Sequence, residues 1–218
     1  MRFTYVHLLF ILHGFAWTIG LSALSFALGG IGGLILMLLR TSRVASVRWV
    51  AAVFMQIIQG IPVLILLVLS YYGLGFAGLD VPPLVAAGIG MMLYASVYLA
   101  DIWRGSMESI PKTQWEAAEC LPLSRWQTIR LVVIPQAVRI SLPSTVGFLV
   151  QILKSTSLAS VVGFIELTRS GQLVNNSIIK PFLVFLLVGL LYFALCYPLS
   201  IYSQYLERRL HVGRRQTQ

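Results

Sequence analysis

Charge is what this sequence has least of. Only 11% of its 218 residues are Asp, Glu, Lys or Arg, and seven are acidic. Soluble domains carry about 25% charged residues. With 58% hydrophobic residues and a mean hydropathy of +0.85, the chain falls outside that class and leaves no room for a soluble catalytic domain. Cysteine is almost missing as well. Cys120 and Cys196 give no disulfide framework and read as two structural thiols. The histidines His7, His13 and His211 lack ligand spacing, so no metal site is expected. No Gly-rich phosphate loop ending in Lys-Ser/Thr occurs, so ATP hydrolysis by this chain is excluded. No His-Glu-x-x-His and no other nucleophile–base set is found, which argues against an intramembrane enzyme. Nor is there an internal repeat, although secondary carriers are commonly built from duplicated halves.

What the sequence does have is apolar runs. Five of them, at about 15–39, 49–72, 83–103, 135–163 and 181–205, approach the ~20 residues that a membrane-crossing helix needs. An all-α membrane protein of five transmembrane helices is predicted. Residues 1–14 are expected to precede the first span, 104–134 to form a polar loop, and 207–218 a basic tail. No small-residue cleavage site follows Arg2, so the first span is expected to act as an uncleaved insertion signal. Gly60-Ile61-Pro62 interrupts the second span, and Pro143 lies inside the fourth. Gly29-x-x-x-Gly33 in the first span fits close helix packing.

The net charge of +9 is not a nucleic-acid patch, because the basic residues fall in short clusters beside apolar spans. Anionic lipid headgroups are the expected neighbours. One side receives Arg40, Arg43, Arg48, Arg104, Lys112, Arg125, Arg130, Arg139, Arg208, Arg209, Arg214 and Arg215. That side is expected to be cytoplasmic. Arg2, Asp80, Glu166, Arg169 and Lys180 fall on the other. The N-terminus is then outside and the C-terminus inside.

In the polar loop, Pro111 suits the first position of a short helix running to Leu121, stopped by Pro122. Ser124-x-x-Gln127 is a capping pattern for a second helix. Trp115, Ala118 and Leu121 recur at helical spacing and predict one apolar face. Ala117 and Ala118 are small enough for another surface to approach, and Glu116 offers a carboxylate to a basic partner. Packing of both helices on their own bundle is the simpler alternative.

Glu116-Ala117-Ala118, followed by Pro122 and then Val132-x-Ile134-Pro135, resembles the EAA loop of ABC importer permeases. Further stretches are similar to the polar amino-acid branch of the type I family, the histidine, glutamine and glutamate/aspartate permeases. They are Gln59-Gly60-Ile61-Pro62, Tyr98 to Gly105, Ser109-Ile110-Pro111-Lys112, Ile134-Pro135-Gln136-Ala137 and Leu153-Lys154-Ser155-Thr156-Ser157-Leu158. Three positions depart from the pattern: Gln59 stands for a usual arginine, Pro122 for glycine and Ser155 for aspartate.

The resemblance implies a type I ABC importer transmembrane fold in a bacterial cytoplasmic (inner) membrane. It implies that Pro111, Trp115, Glu116, Ala117, Ala118, Leu121, Pro122 and Arg125 belong to a loop that couples to a separate ATPase. That ATPase would hold ATP and Mg, with no cofactor on this chain. A second permease, identical or paralogous, and a periplasmic amino-acid-binding protein would complete the assembly within membrane lipid. The cargo expected is a polar amino acid. A subunit of an ion-gradient-driven carrier or channel is the alternative, and it leaves the loop motif unexplained.

Gln59, Lys154, Ser155, Thr156 and Ser157 are the candidates for a substrate pathway. A lysine at membrane depth costs roughly 2.5–3.5 kcal/mol, so Lys154 should face a wet cavity or snorkel outward. Lining the pathway and bonding to carbonyls of a broken helix both remain open for it. At least two of the three hydroxyls are expected to bond between helices. Asp101, Arg104 and Glu108 are spaced for a local ion pair. Asn175-Asn176-Ser177 matches a glycosylation acceptor and is read as a polar turn.

Overall fold

A computed structural model describes residues 4–211, with side chains through 210, and contains no strand among them. Arg2, Arg214 and Arg215 lie outside the described residues, as does most of the 207–218 tail. Nine α-helices follow in order: α1 Tyr5–Arg40, α2 Ala45–Gly60, α3 Val63–Phe76, α4 Pro83–Glu108, α5 Lys112–Glu119, α6 Arg125–Thr128, α7 Ile134–Ser155, α8 Leu167–Ile178 and α9 Pro181–His211. A π-helical turn, Ile129–Val133, joins α6 to α7, and a 3-10 segment, Thr156–Val162, follows α7.

α1 begins ten residues before the expected span, because Val6, Leu8, Leu9, Ile11 and Leu12 form an apolar run without a breaker. The Thr4 N–H donates to His7 Nδ1 at 3.0 Å and closes the first turn. The second span, interrupted at Gly60-Ile61-Pro62 as its sequence predicts, is two helices bent by 101°. Its cause is Pro62. A residue before proline is driven to extended dihedrals, and Ile61 sits at φ −98, ψ 126. The π-helical turn before Pro135 has the same origin. That proline lacks an N–H and crowds the carbonyl four residues back, and the wider turn accommodates it, with the Ile134 N–H bonded to the Ile129 carbonyl.

Helix direction follows from matched contacts. Gly29 lies on Ala95 and Gly33 on Leu99, so α1 and α4 run parallel. The chain must return between them, so the bent α2–α3 pair is one crossing. Ile110 packs with Val133 and Ala137, while the Trp103 Nε1–H donates to Thr145 Oγ1 at 3.1 Å. Tyr94 lies on Phe148 at 5.6 Å between ring centroids. α4 and α7 are therefore antiparallel. Ser203 donates to the Pro143 carbonyl at 2.8 Å, and Cys196 packs with Val150 and Leu153, so α9 reverses again. The bundle thus has five crossings. The ends of α1, α4 and α9 and the start of α7 share one end, which collects Arg40, Arg104, Arg139, Arg208 and the α5–α6 loop.

Close approach of α1 to α4 depends on glycine. A Cβ on Gly29 would collide with the Ala95 Cβ, and one on Gly33 would lie 3.0 Å from the Leu99 Cβ and the Ser96 carbonyl. This is the packing that the Gly29/Gly33 spacing predicts. The main core forms behind it, from Leu21, Leu67, Met91, Leu99 and Ile152, each essentially inaccessible. Outward faces stay apolar: Phe182, Phe193 and Leu190 on α9 are exposed. Such a surface suits a bilayer rather than water.

Candidate functional site

The polar loop folds as its caps dictate. Pro111 precedes α5, which ends at Glu119, two residues short of the expected Leu121. Ser124 and Gln127 form the reciprocal cap: the Ser124 N–H donates to Gln127 Oε1 at 2.8 Å, and the Gln127 N–H to Ser124 Oγ at 3.3 Å. Between them the chain turns at Leu121-Pro122-Leu123, with Leu121 and Pro122 exposed.

The predicted apolar face of α5 divides. Trp115 packs on Ile110, Val133 and Ala137, and Ala118 is 2% exposed. Leu121 lies past the helix end and is 55% exposed, so it does not join them. Glu116 and Ala117 are on the free side. Of the two alanines, then, only Ala117 offers a surface, because Ala118 is used to seat α5 on the bundle. Arg125 and Trp126 are exposed beside it. Gln136 fixes the loop to α7: its Nε2–H2 group donates to the Val132 carbonyl at 3.0 Å and to Gln114 Oε1 at 3.4 Å. Arg104 bonds Asp101 at 2.7 Å and Glu108 at 2.6 Å, the local ion pair that their spacing predicts.

A second region gathers the breaks in regular helix. The 3-10 segment Thr156–Val162 packs on α3, just past Gly60-Ile61-Pro62. Leu158, Ala159 and Val162 meet Ile61, Val63 and Leu66 in the main core. Gln59 is half-buried at the end of α2, and Ser155 and Thr156 are buried. Two of the three hydroxyls bond backward along their own segment, and Thr156 also meets the Tyr192 hydroxyl of α9. Thr156 Oγ1 donates to the Leu153 carbonyl at 2.7 Å, and Ser157 Oγ to the Lys154 carbonyl at 2.7 Å.

Lys154 is exposed. It opens onto a recess of about 250 Å3 lined otherwise by α9, with Tyr192, Cys196, Tyr197 and Ser200. No residue of α2 or α3 lines that recess, so Gln59 and Lys154 are not brought to one pocket.

The sequence reading missed Glu166. It counts among the charges on the side opposite the basic loops, and it is 0% exposed. Its carboxylate caps α8, accepting from the Thr168 N–H and the Arg169 N–H, each at 2.8 Å, and from the Tyr192 hydroxyl at 2.7 Å. Burial raises its pKa above the ordinary carboxylate value, and these donors oppose the shift. The Leu167 N–H donates to Thr18 Oγ1 at 3.1 Å, which ties the same corner to α1. An acidic residue directly ahead of Leu167-Thr168-Arg169 is a capping signal that could have revealed it. Asn175-Asn176-Ser177 is likewise not a turn but part of α8, whose Val174 and Ile178 are buried.

Comparison with known proteins agrees with this architecture. Residues 28–212 match the model of a family described as binding-protein-dependent transport system inner membrane component. The chain is 32% identical over 200 residues to a probable amino-acid ABC transporter permease, YckA, of Bacillus subtilis, covering 92% of this chain and 88% of that one. It is 34% identical to the glutamine transport system permease protein GlnP of Escherichia coli, covering 93% of each. Among solved structures, an amino acid ABC transporter with histidines superposes with a TM-score of 0.88 at 27% identity, over 96% of this chain and all of that one. The chain belongs to the family of binding-protein-dependent transport system inner membrane components, the permease subunits of ABC importers.

Proposed function

We propose that this permease carries a polar amino acid inward, driven by an ATPase that docks on α5. The observation that carries the reading is the free side of α5. Glu116 and Ala117 stand exposed on a helix that Trp115, Ala118 and Gln114 hold against the bundle. A carboxylate beside a small residue suits insertion into a groove with a basic wall. A carrier without an ATPase gives this helix no role.

Family membership brings ATPase partners and a second permease, and it makes the chain a multi-pass protein of the cytoplasmic membrane. The proposal adds that the second permease is alike or paralogous, that ATP and Mg reside on the ATPase, and that a periplasmic binding protein delivers the cargo. The amino-acid class is supported by relatives named for glutamine and cystine transport. ATP binding closes the ATPase pair, α5 moves with it as a rigid extension of α7, and the bundle changes the side on which it opens. The basic end of the bundle is cytoplasmic by the Lys/Arg rule, which places the N-terminus outside.

Cargo passes near the paired breaks at Gly60–Pro62 and Thr156–Val162. Irregular backbone at membrane depth is tolerated where it is buried in protein or lines a wet path. Gln59, Ser155, Thr156 and Ser157 border this region, and Lys154 stands at its edge, toward α9.

The test is reconstitution. The complex purified through this chain should contain an ATPase. Its hydrolysis should rise when loaded binding protein is added, and labelled glutamine or cystine should be screened for uptake alongside other polar amino acids. Uptake driven by an ion gradient without ATP would overturn the proposal.

A further inference from the structure

Three arginines surround the turn between α1 and α2 without a carboxylate among them. Arg40 ends α1, Arg43 lies in the turn, and Arg48 is in the first turn of α2. Arg48 Nη1 donates to the Ser42 carbonyl at 3.1 Å, which holds its guanidinium over the turn. Among the described residues the acidic-to-basic pairs are the two that Arg104 makes, so this cluster keeps its full charge.

An apolar recess of about 400 Å3 starts beside the turn and runs away from it. Leu36 and Leu39 form one wall, and Val47, Val50 and Phe54 the other. Between Ser46 and Phe54 the helix rises about 12 Å, enough for a substantial part of an acyl chain. Trp49 is 67% exposed at the same level as the arginines. Tryptophan at that position marks the membrane–water interface. Positive charge at the interface, with a greasy channel leading toward the bilayer centre, matches a phospholipid in both charge and polarity.

We propose that the α1–α2 corner is a binding site for one anionic phospholipid, with its phosphate on Arg40, Arg43 and Arg48 and one acyl chain in the Leu36–Phe54 recess. A basic side chain near an anionic surface contributes about a fivefold gain in affinity. Loss of all three should therefore weaken retention on the order of a hundredfold.

The assembled transporter is placed in nanodiscs of phosphatidylcholine with or without phosphatidylglycerol, and the lipid it retains is counted by native mass spectrometry. The parent should hold phosphatidylglycerol in preference to phosphatidylcholine. Arg40→Gln, Arg43→Gln and Arg48→Gln together should abolish the preference, while the same three changes to Lys should largely keep it. Val50→Trp fills the recess without touching charge and should also release the lipid. Unchanged retention in either the Gln or the Trp variant would overturn the proposal, the latter because diffuse charge alone would then explain binding. So would a cross-link from Val50→Cys to the ATPase or to the second permease, since protein would then occupy the groove.

Discussion

Tyr192 donates its hydroxyl to the buried carboxylate of Glu166 at 2.7 Å, joining the middle of α9 to the start of α8. Thr168 Oγ1 lies 3.1 Å from the same hydroxyl. The connection between the last two crossings is thus fastened by a polar knot at the end of the bundle away from α5. Buried polar groups of this kind hold an arrangement in place because leaving one unpaired is expensive.

Removing the carboxylate should show that cost. Glu166→Ala orphans two backbone donors and takes one partner from the tyrosine hydroxyl, and a buried donor left unsatisfied costs about 1–3 kcal/mol. Tyr192→Phe removes one donor and leaves the cap bonds, so about 1 kcal/mol is expected. Thermal unfolding of the detergent-solubilised complex would rank them, with Glu166→Ala clearly lower. Equal midpoints for both variants and the parent would mean that the knot does not stabilise the fold.

The α1–α4 contact gives a position-specific test. Gly29→Leu and Gly33→Leu should force the helices apart at about 1–3 kcal/mol each, the usual cost of overpacking. Gly30→Ala is the control, because a Cβ there meets nothing nearer than 3.8 Å, from Trp103. Folded yield and unfolding midpoint should fall for the first two and hold for the third. A loss at Gly30 equal to that at Gly29 would refute close packing as the reason for the pattern.

Much of this was legible from local signals. Apolar run length located the crossings, and the Ser124–Gln127 cap is local chemistry that needs no tertiary contact. The Gly29/Gly33 spacing announced a helix contact, though not that its partner is Ala95 and Leu99 on α4. The burial of Glu166 was not legible, because composition cannot tell a solvated acid from a buried one. Tyr192 bonds its carboxylate and Thr18 accepts from the next residue's N–H, two residues at opposite ends of the chain. The split of α5 into a seated and a free side had the same cause. Ala117 and Ala118 are equivalent in sequence, and only the position of Val133 and Ala137 decides which side is inside.

Ile179 ends α8 in the left-handed region, at φ 53. A β-branched residue there is strained by roughly 1–2 kcal/mol. Its side chain is 80% exposed, so replacement forfeits little packing. Ile179→Gly should therefore raise stability by about 1 kcal/mol, where most glycine substitutions lower it. A drop in the unfolding midpoint would show that the side chain is held by a neighbour in the assembly.

The two alanines of α5 separate docking from folding. Ala117→Trp places bulk on the free side, so the chain should insert and fold as the parent does. Overpacking at the ATPase contact should then cost about 1–3 kcal/mol of binding. Glu116→Lys, also on the free side, should cost roughly 2–5 kcal/mol if its partner charge is left desolvated. Both variants should lose ATP-driven uptake while unfolding at the parent temperature. Ala118→Trp is different in kind. Its site is closed by the chain's own bundle, so α5 must lift away from α7, and the unfolding midpoint should fall before any ATPase is added. Co-purification of the ATPase, stimulated hydrolysis and the unfolding midpoint are measured on all three. If Ala117→Trp and Glu116→Lys keep full uptake and stimulated hydrolysis, α5 is not the coupling element. If Ala118→Trp unfolds at the parent temperature yet sheds the ATPase, the buried alanine is itself the contact, and α5 must turn over when the complex forms.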